Sequence, residues 1–216
     1  MEKLEKQLDI YKDILIEWNE KINLTAINDE KEIMVKHFED SLSLLKYVDI
    51  PKNEKVIDIG TGAGFPGMVI KLARQDLDVT LLDGHKKRFI FLEDLQNTLG
   101  LKCNNLHARA EEAAKKHREE FFIATARAVA SLNVLAEYCL GFVKVGGYFV
   151  AMKGDLLEEE LTSAKNAIKI MGGKILEVKK FNLSDGSKRS LVLIKKISQT
   201  PTKYPRISAK ISKQPL

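Results

Sequence analysis

From residue 4 to residue 22 the apolar positions fall three and four apart: Leu4, Leu8, Tyr11, Leu15, Trp18 and Ile22. That spacing gathers them on one stripe of a long helix whose other face is charged, and such a stripe must be buried against something larger. Trp18 therefore reads as an anchor in that contact rather than a stacking platform for a base. Asn23-Leu24-Thr25 breaks the pattern, and a helical run resumes from Ile33 to Val48 with His37 inside it. After Pro51-Lys52-Asn53 the texture changes. Short β-rich runs at 56–60, 79–83, 105–108, 121–126 and 147–152 alternate with helical stretches, as a parallel sheet covered on both faces requires. Two further runs, 174–181 and 191–196, predict a closing antiparallel pair. Lys86–Leu99 is the clearest helix of this half, stopped by Gly100, and another is predicted from Asp155, its cap, to Met171, ended by Gly172-Gly173. The expected fold class is α/β: a Rossmann-like, mainly parallel sheet of seven strands with an N-terminal helical extension. A single domain is expected over 1–216, with a helical extension (1–50), an α/β core (51–196) and a C-terminal tail (197–216).

The first strand-to-helix connection carries the chemistry. Residues 56–67 read Val-Ile-Asp-Ile-Gly-Thr-Gly-Ala-Gly-Phe-Pro-Gly, an apolar strand, a carboxylate and four glycines in twelve positions. Glycine serves where the backbone must take positive φ or let a ligand approach its amides, and Pro66 fits the first turn of the helix that follows. Ligands of such sheets bind beyond the carboxyl ends of the strands, which should bring Gly60 to Gly64, Asp83, residues 109–111 and Arg127 around one crevice. Gly62, Gly64 and Gly67 satisfy G-x-G-x-x-G, and Asp83 ends the next strand where a ribose-binding acid belongs, which would suit a dinucleotide. Asp58, however, stands two residues before the first glycine, where its charge disfavours a pyrophosphate. S-adenosylmethionine has a sulfonium, an amino group and a ribose diol but no phosphate, and suits acids at both Asp58 and Asp83. A glycine loop with a purely structural job is the bland alternative. His37 has no serine and acid beside it in the sequence that would make it a triad base, so it reads as structural or substrate-facing.

Length and composition narrow the setting. A chain of 216 residues with 44% hydrophobic content fits one substantial core. No apolar run approaches the roughly 18 residues of a membrane helix. The charged start Met1-Glu2-Lys3-Leu4-Glu5-Lys6 lacks the apolar centre of a signal peptide, so a cytoplasmic protein without membrane partners is expected. Cys103 and Cys139 match no zinc spacing, no metal is expected, and both read as buried, reduced fillers. The net charge of +5 is carried by the tail: residues 195–216 hold Lys195, Lys196, Lys203, Arg206, Lys210 and Lys213 and no acid. Such a segment, with Tyr204 among its prolines, could follow a phosphate backbone while the ring stacks on a base, or could serve solubility alone.

Taken as an ordered set, these motifs resemble a known family. The glycine turn at 56–67, Leu-Leu-Asp followed by Lys-Lys-Arg-Phe, Arg-Ala-Glu at 109–111 and Ala-Arg-Ala at 126–128 are all similar to the ribosomal RNA small subunit methyltransferase G family, also called glucose-inhibited division protein B. So are Met-Lys-Gly at 152–154, Lys-Tyr-Pro-Arg at 203–206, Asn-Leu-Thr-Ala-Ile at 23–27 and His37 with Asp40-Ser41-Leu42, and the set spans nearly the whole chain. The resemblance implies methylation of N7 of a guanosine in 16S ribosomal RNA, with S-adenosylmethionine as cofactor and the small ribosomal subunit or an assembly intermediate as partner. No obligate protein partner is implied. Carried over by position, Gly60 and Phe65 are cofactor contacts, Ala110 and Glu111 the adenosine-side pair, and Arg127 a further cofactor-site residue. Fold logic adds Asp83 as acceptor for both ribose hydroxyls. The chain departs from the family pattern at Thr61, Gly84 and His85 on the cofactor rim and at Ala209 and Ile211 in the tail.

Guanine N7 carries an unprotonated lone pair, so no general base is required and no catalytic residue is named; proximity and orientation would carry the rate. Cations that could orient the base and phosphates are Arg127, Lys153, Arg189 and Arg206, with Lys203 and Tyr204 in the tail. Lys86, Lys87 and Arg88 fit a solvated face as well as an RNA contact. Three other functions remain open on the residues: a methyltransferase of the same fold acting on another RNA, a protein or a small molecule; a nicotinamide-dependent oxidoreductase; and a non-catalytic RNA-binding module.

Overall fold

The structure, a computed structural model, describes residues 2–127, 129–156 and 158–216. Seven strands form one sheet: β1 (Lys55–Ile59), β2 (Asp78–Asp83), β3 (Asn104–His107), β4 (Phe121–Arg127), β5 (Val143–Lys153), β6 (Gly173–Asn182) and β7 (Lys188–Lys196), in the order β3-β2-β1-β4-β5-β7-β6. The β1–β2, β1–β4, β2–β3 and β4–β5 pairs are parallel, whereas β7 runs antiparallel to both β5 and β6. The chain leaves β1 toward β2 on one side and returns to β4 on the other, so the ends of β1 and β4 make the switch point where such sheets bind ligands.

Strand alternation divides the apolar side chains between two cores. Val56 of β1 belongs to one and its neighbours Ile57 and Ile59 to the other. The first core lies under α1 (Glu2–Lys21), α4 (Gly67–Ala73) and α5 (Lys86–Leu99). Leu8, Tyr11 and Leu15 of the predicted stripe are buried there. Trp18 is half-buried, edge-on to Phe91 at 6.1 Å, and its indole N–H donates to Asp94 at 2.7 Å, an anchor as expected. Helix α5 has the predicted bounds because Gly100 takes the left-handed conformation, φ 63°, that stops it. Between α1 and β1, α2 (Glu30–Ile33), capped by Asp29, continues through a π-helical segment (Met34–Glu39) into α3 (Asp40–Tyr47).

The second core is covered by α6 (Ala110–Lys116), α7 (Leu132–Cys139) and α8 (Glu158–Ile170). Here the structure departs from expectation. Helix α8 begins at Glu158, and Asp155 instead pairs with Lys188 at 3.1 Å; residue 157 lies outside the described residues. Pro66 precedes α4 rather than standing in its first turn. Both cysteines are buried, and burial raises both thiols, Cys103 to about 12. No helix among the described residues is long and apolar enough to cross a membrane.

The larger departure concerns the tail. It is not a free basic arm: Tyr204 is buried in the second core, and a last helix, α9 (Ser208–Lys213), buries Ile211. Arg206 grips Glu137, whose side chain is 1% exposed, with Nε and Nη2 on the two carboxylate oxygens at 2.9 and 2.6 Å. Lys196, wholly buried, reaches Glu119 at 3.1 Å and Leu140 O at 2.6 Å. Two of the six cations are therefore neutralised inside the protein. Arg206→Ala would leave Glu137 buried without its counter-charge, a loss of about 3–5 kcal/mol. Urea denaturation should show this as a lower midpoint at unchanged slope; an unshifted midpoint would mean the tail is not part of the core.

Candidate active site

A cleft of about 720 Å³ opens beyond the carboxyl ends of β1, β2, β4 and β5. The glycine turn forms its floor, Asp83, His85, Arg88 and Arg109 one wall, Val129, Met152, Lys153 and Arg189 another, and Thr25, Lys36, His37 and Asp40 from the helical extension close the third side.

The turn holds itself. Gly60 N and Thr61 N donate to Leu82 O at 2.8 and 3.0 Å, and Gly64 N and Phe65 N to Thr61 O at 2.9 and 3.0 Å. Gly62 N donates to Asp83 Oδ2 at 3.0 Å, and Gly67 N to Asp58 Oδ2 at 2.9 Å. Asp58 is on the same strand face as Val56 and lies beneath the turn, fully buried, with Thr61 Oγ1 also donating to Oδ2 at 2.6 Å and Oδ1 without a partner. Glycine at 67 is what admits this packing, since a Cβ there would stand 2.9 Å from the Asp58 Cβ. Gly64, at φ 90°, is covered from above: a Cβ would meet the Tyr11 hydroxyl at 2.5 Å, and that hydroxyl donates to Ala63 O. Burial pushes the Asp58 carboxyl up to about 6, outweighing the bonds from Thr61 and Gly67.

Asp83 is nearly as buried but ionised. Burial alone would raise its carboxyl, yet the Arg88 guanidinium at 2.7 Å and the amides of His85 and Gly62 at 2.8 and 3.0 Å hold it below the usual range.

Across the floor, Arg127 ties the end of β4 to the helical extension. Its Nη1 donates to Lys36 O at 2.8 Å and Asp40 Oδ2 at 3.1 Å, and its Nη2 lies 3.0 Å from His37 Nδ1. Arg189 Nε meets the other Asp40 oxygen at 3.3 Å. The guanidinium carbon of Arg127 also sits 5.1 Å over the Phe65 ring, whose faces are stacked by His37 at 4.5 Å and Tyr11 at 5.2 Å. Burial and the Arg127 charge drive the imidazole down to about 3, so it is neutral.

The family described as rRNA small subunit methyltransferase G (GidB) matches residues 4–192. This chain belongs to that family. A protein of Alkaliphilus metalliredigens named ribosomal RNA small subunit methyltransferase G is 53% identical over 216 residues, 98% of this chain and 90% of the relative. Another of the same name, from Clostridium beijerinckii, is 51% identical over 219 residues, 100% of this chain and 91% of the relative. Among solved structures, M. jannaschii TYW2 in complex with AdoMet aligns with a TM-score of 0.60 at 12% identity, covering 74% of this chain and 75% of that one. A precorrin-6y methyltransferase from Geobacter metallireducens aligns at 0.56 with 14% identity, covering 81% and 92%. At these identities the likeness is one of fold: the Rossmann-like methyltransferase sheet.

Of the residues expected in the site, Gly60, Gly62, Phe65, Asp83, Arg127, Lys153 and Arg189 line the cleft. Asp58 and Gly64 do not; they lie under and behind the turn, where the need is packing. Ala110 and Glu111 stand at the start of α6, just past Arg109, which does line it. Lys203, Tyr204 and Arg206 are absent from its walls: Tyr204 packs into the core and Arg206 is held by Glu137, so neither can stack on or clamp an RNA from there. Thr25, Lys36 and Asp40 were missed as site residues, although the break after the first helix and the His37–Asp40 spacing marked the segment.

The Asp58 carboxyl gives a pH test. Between the ordinary value of 3.8 and about 6, the folded chain holds a proton that the unfolded chain has lost, so this group's contribution to stability falls as pH rises through that window and is flat above it. The stability of Asp58→Asn relative to the parent should therefore rise by about 2 kcal/mol from about pH 4 to pH 7. Chemical denaturation at several pH values reads it, and a constant difference would place Asp58 in a polar setting instead.

Proposed function

We propose that this protein transfers the methyl group of S-adenosylmethionine to N7 of a guanosine in 16S ribosomal RNA, presented on the small ribosomal subunit or an assembly intermediate. The reading of the cofactor is carried by the state of the turn amides. Six of them, at residues 60, 61, 62, 64, 65 and 67, already donate to protein oxygens. A pyrophosphate needs such amides free; a phosphate-free, cationic cofactor does not. Gly60 borders the cleft, and a Cβ there would meet Val129 Cγ2 at 2.8 Å, so the turn and the opposite wall approach closely at that point.

In this reading Asp83 accepts the ribose hydroxyls. Its oxygens are engaged by Gly62, His85 and Arg88, and the exposed His85 ring and the Arg88 side chain are the partners able to give way. Arg109, with Ala110 and Glu111 behind it, borders the adenosine end, while the backbone at Gly60 and Gly62 and the edge of Phe65 border the middle. The cofactor, when bound, supplies an electrophilic methyl group that an unprotonated ring nitrogen can take without a base. The chain's part is to orient and to exclude water. His37 supports this division: a neutral imidazole whose Nδ1 is occupied by Arg127 cannot collect a proton from substrate. Lys153, anchored on Ala130 O and Glu160, and Arg189, anchored on Asp40, place positive charge on the open rim where an RNA backbone would pass.

Labelled S-adenosylmethionine incubated with unmodified small-subunit particles should place label on N7 of a guanosine; label on protein or on another base would remove the substrate assignment. S-adenosylhomocysteine should raise the melting temperature and NAD should not. Asp83→Ala should weaken S-adenosylhomocysteine by roughly 1–3 kcal/mol in calorimetry, the loss of a charged hydrogen-bond acceptor. Unchanged affinity would put the ribose elsewhere.

A further inference from the structure

The donor logic of the Arg127 cluster fixes the place of one proton. A guanidinium has five N–H groups and no acceptor. Arg127 Nη2 lies 3.0 Å from His37 Nδ1, so that nitrogen must accept, which leaves the imidazole proton on Nε2. The opposite tautomer, or the doubly protonated ring, would set donor against donor. Nε2–H then points at Thr25 Oγ1, 2.8 Å away, and the hydroxyl oxygen must accept. It accepts a second time from the Ile27 amide at 3.1 Å. A hydroxyl oxygen has two lone pairs, and both are filled. Three tetrahedral directions are thus taken by Cβ and two incoming hydrogens, and the fourth belongs to the hydroxyl's own hydrogen. Among the described residues no acceptor lies within hydrogen-bond distance of it, and Thr25 borders the cleft.

The other donor side chains near that wall are charged and each already holds protein partners: Lys153 with Ala130 O and Glu160, Arg127 with Lys36 O, Asp40 and His37, and Arg189 through Nε with Asp40 and Nη1 with Lys188 O. Thr25 is a neutral, directionally fixed group that can donate and cannot accept.

We infer that Thr25 is a specificity-determining residue whose hydroxyl donates to O6 of the target guanine. The inference rests on the guanine-N7 reading above. On that edge guanine presents two acceptors, N7 and O6. N7 must keep its lone pair for the methyl group, so O6 is the acceptor left to be read. Adenine presents an amino donor at the same place, and a hydroxyl with both lone pairs filled meets it donor to donor. The Arg127–His37–Thr25 chain therefore turns a cofactor-side guanidinium into a guanine-selective contact.

The test uses the full-length enzyme and small-subunit particles, with S-adenosylhomocysteine affinity measured alongside. Thr25→Val should lower kcat/KM for particles about tenfold, the worth of one neutral hydrogen bond, with S-adenosylhomocysteine affinity unchanged, and Thr25→Ser should retain activity. Particles reconstituted with 2-aminopurine at the target, which keeps N7 and lacks O6, should cost the parent enzyme a similar factor and cost Thr25→Val nothing further. Equal losses for both enzymes on 2-aminopurine, a serine variant as impaired as the valine one, or a fall in cofactor affinity that accounts for the whole effect would overturn the inference. Failure of the parent enzyme to label guanine at all would instead overturn the reading beneath it.

Discussion

A guanidinium gives protons and never takes them, and the architecture of the cleft turns on where one such group is placed. Arg127 stands at the end of β4, at the switch point of the sheet, with its side chain 12% exposed. Its donors reach the backbone of Lys36, the carboxylate of Asp40 and the ring of His37. These partners belong to one stretch of π-helix and the residue after it, where the widened turn brings Lys36 O, His37 and Asp40 to the same side. Pi-helical turns recur at functional sites for this kind of reason. The helical extension is thereby fastened to the sheet at the cleft itself, with Asp40 shared between Arg127 and Arg189 so that neither its charge nor theirs is buried alone.

The same economy of partners shapes the glycine turn. A loop rich in glycine has amides to offer, and in a dinucleotide site they face phosphate oxygens. Here they face Leu82, Thr61, Asp83 and Asp58. Asp58 lies below, occupying the first amide of α4, and is not a charge on the cleft wall. Asp83 carries the charge that the cleft does feel. The two acids differ in environment: one beneath the turn with an orphan oxygen and a raised carboxyl, the other ringed by donors and kept ionised.

Much of this was legible in the chain. Period and punctuation placed all seven strands and fixed α5 to the residue, because Gly100 is a strong local stop. The turn, Asp83, Arg127 and the family motifs located the cleft. What the residues could not disclose was direction. Asp58 and Gly62 lie four apart, yet Asp58 points beneath the turn from the end of β1 while Gly62 stands in the turn itself, on the cleft floor. Tyr204 and Arg206 look like a stacking ring beside a phosphate clamp, and only the tertiary position of Glu137, 69 residues earlier in the chain, turns them inward. Thr25 lies in an irregular break with no periodicity to orient it, and its role depends on a tautomer set from Arg127.

The tail's path bears on how the chain is made. Tyr204 and Ile211 fill gaps beneath helices laid down much earlier, and Lys196 and Arg206 satisfy Glu119 and Glu137 from the C-terminal side. During synthesis those two acids emerge well before their counter-ions, so the packing around them waits for the segment that carries Lys196 and Arg206. A nascent chain halted before that segment would display an open apolar seam where Tyr204 and Ile211 belong.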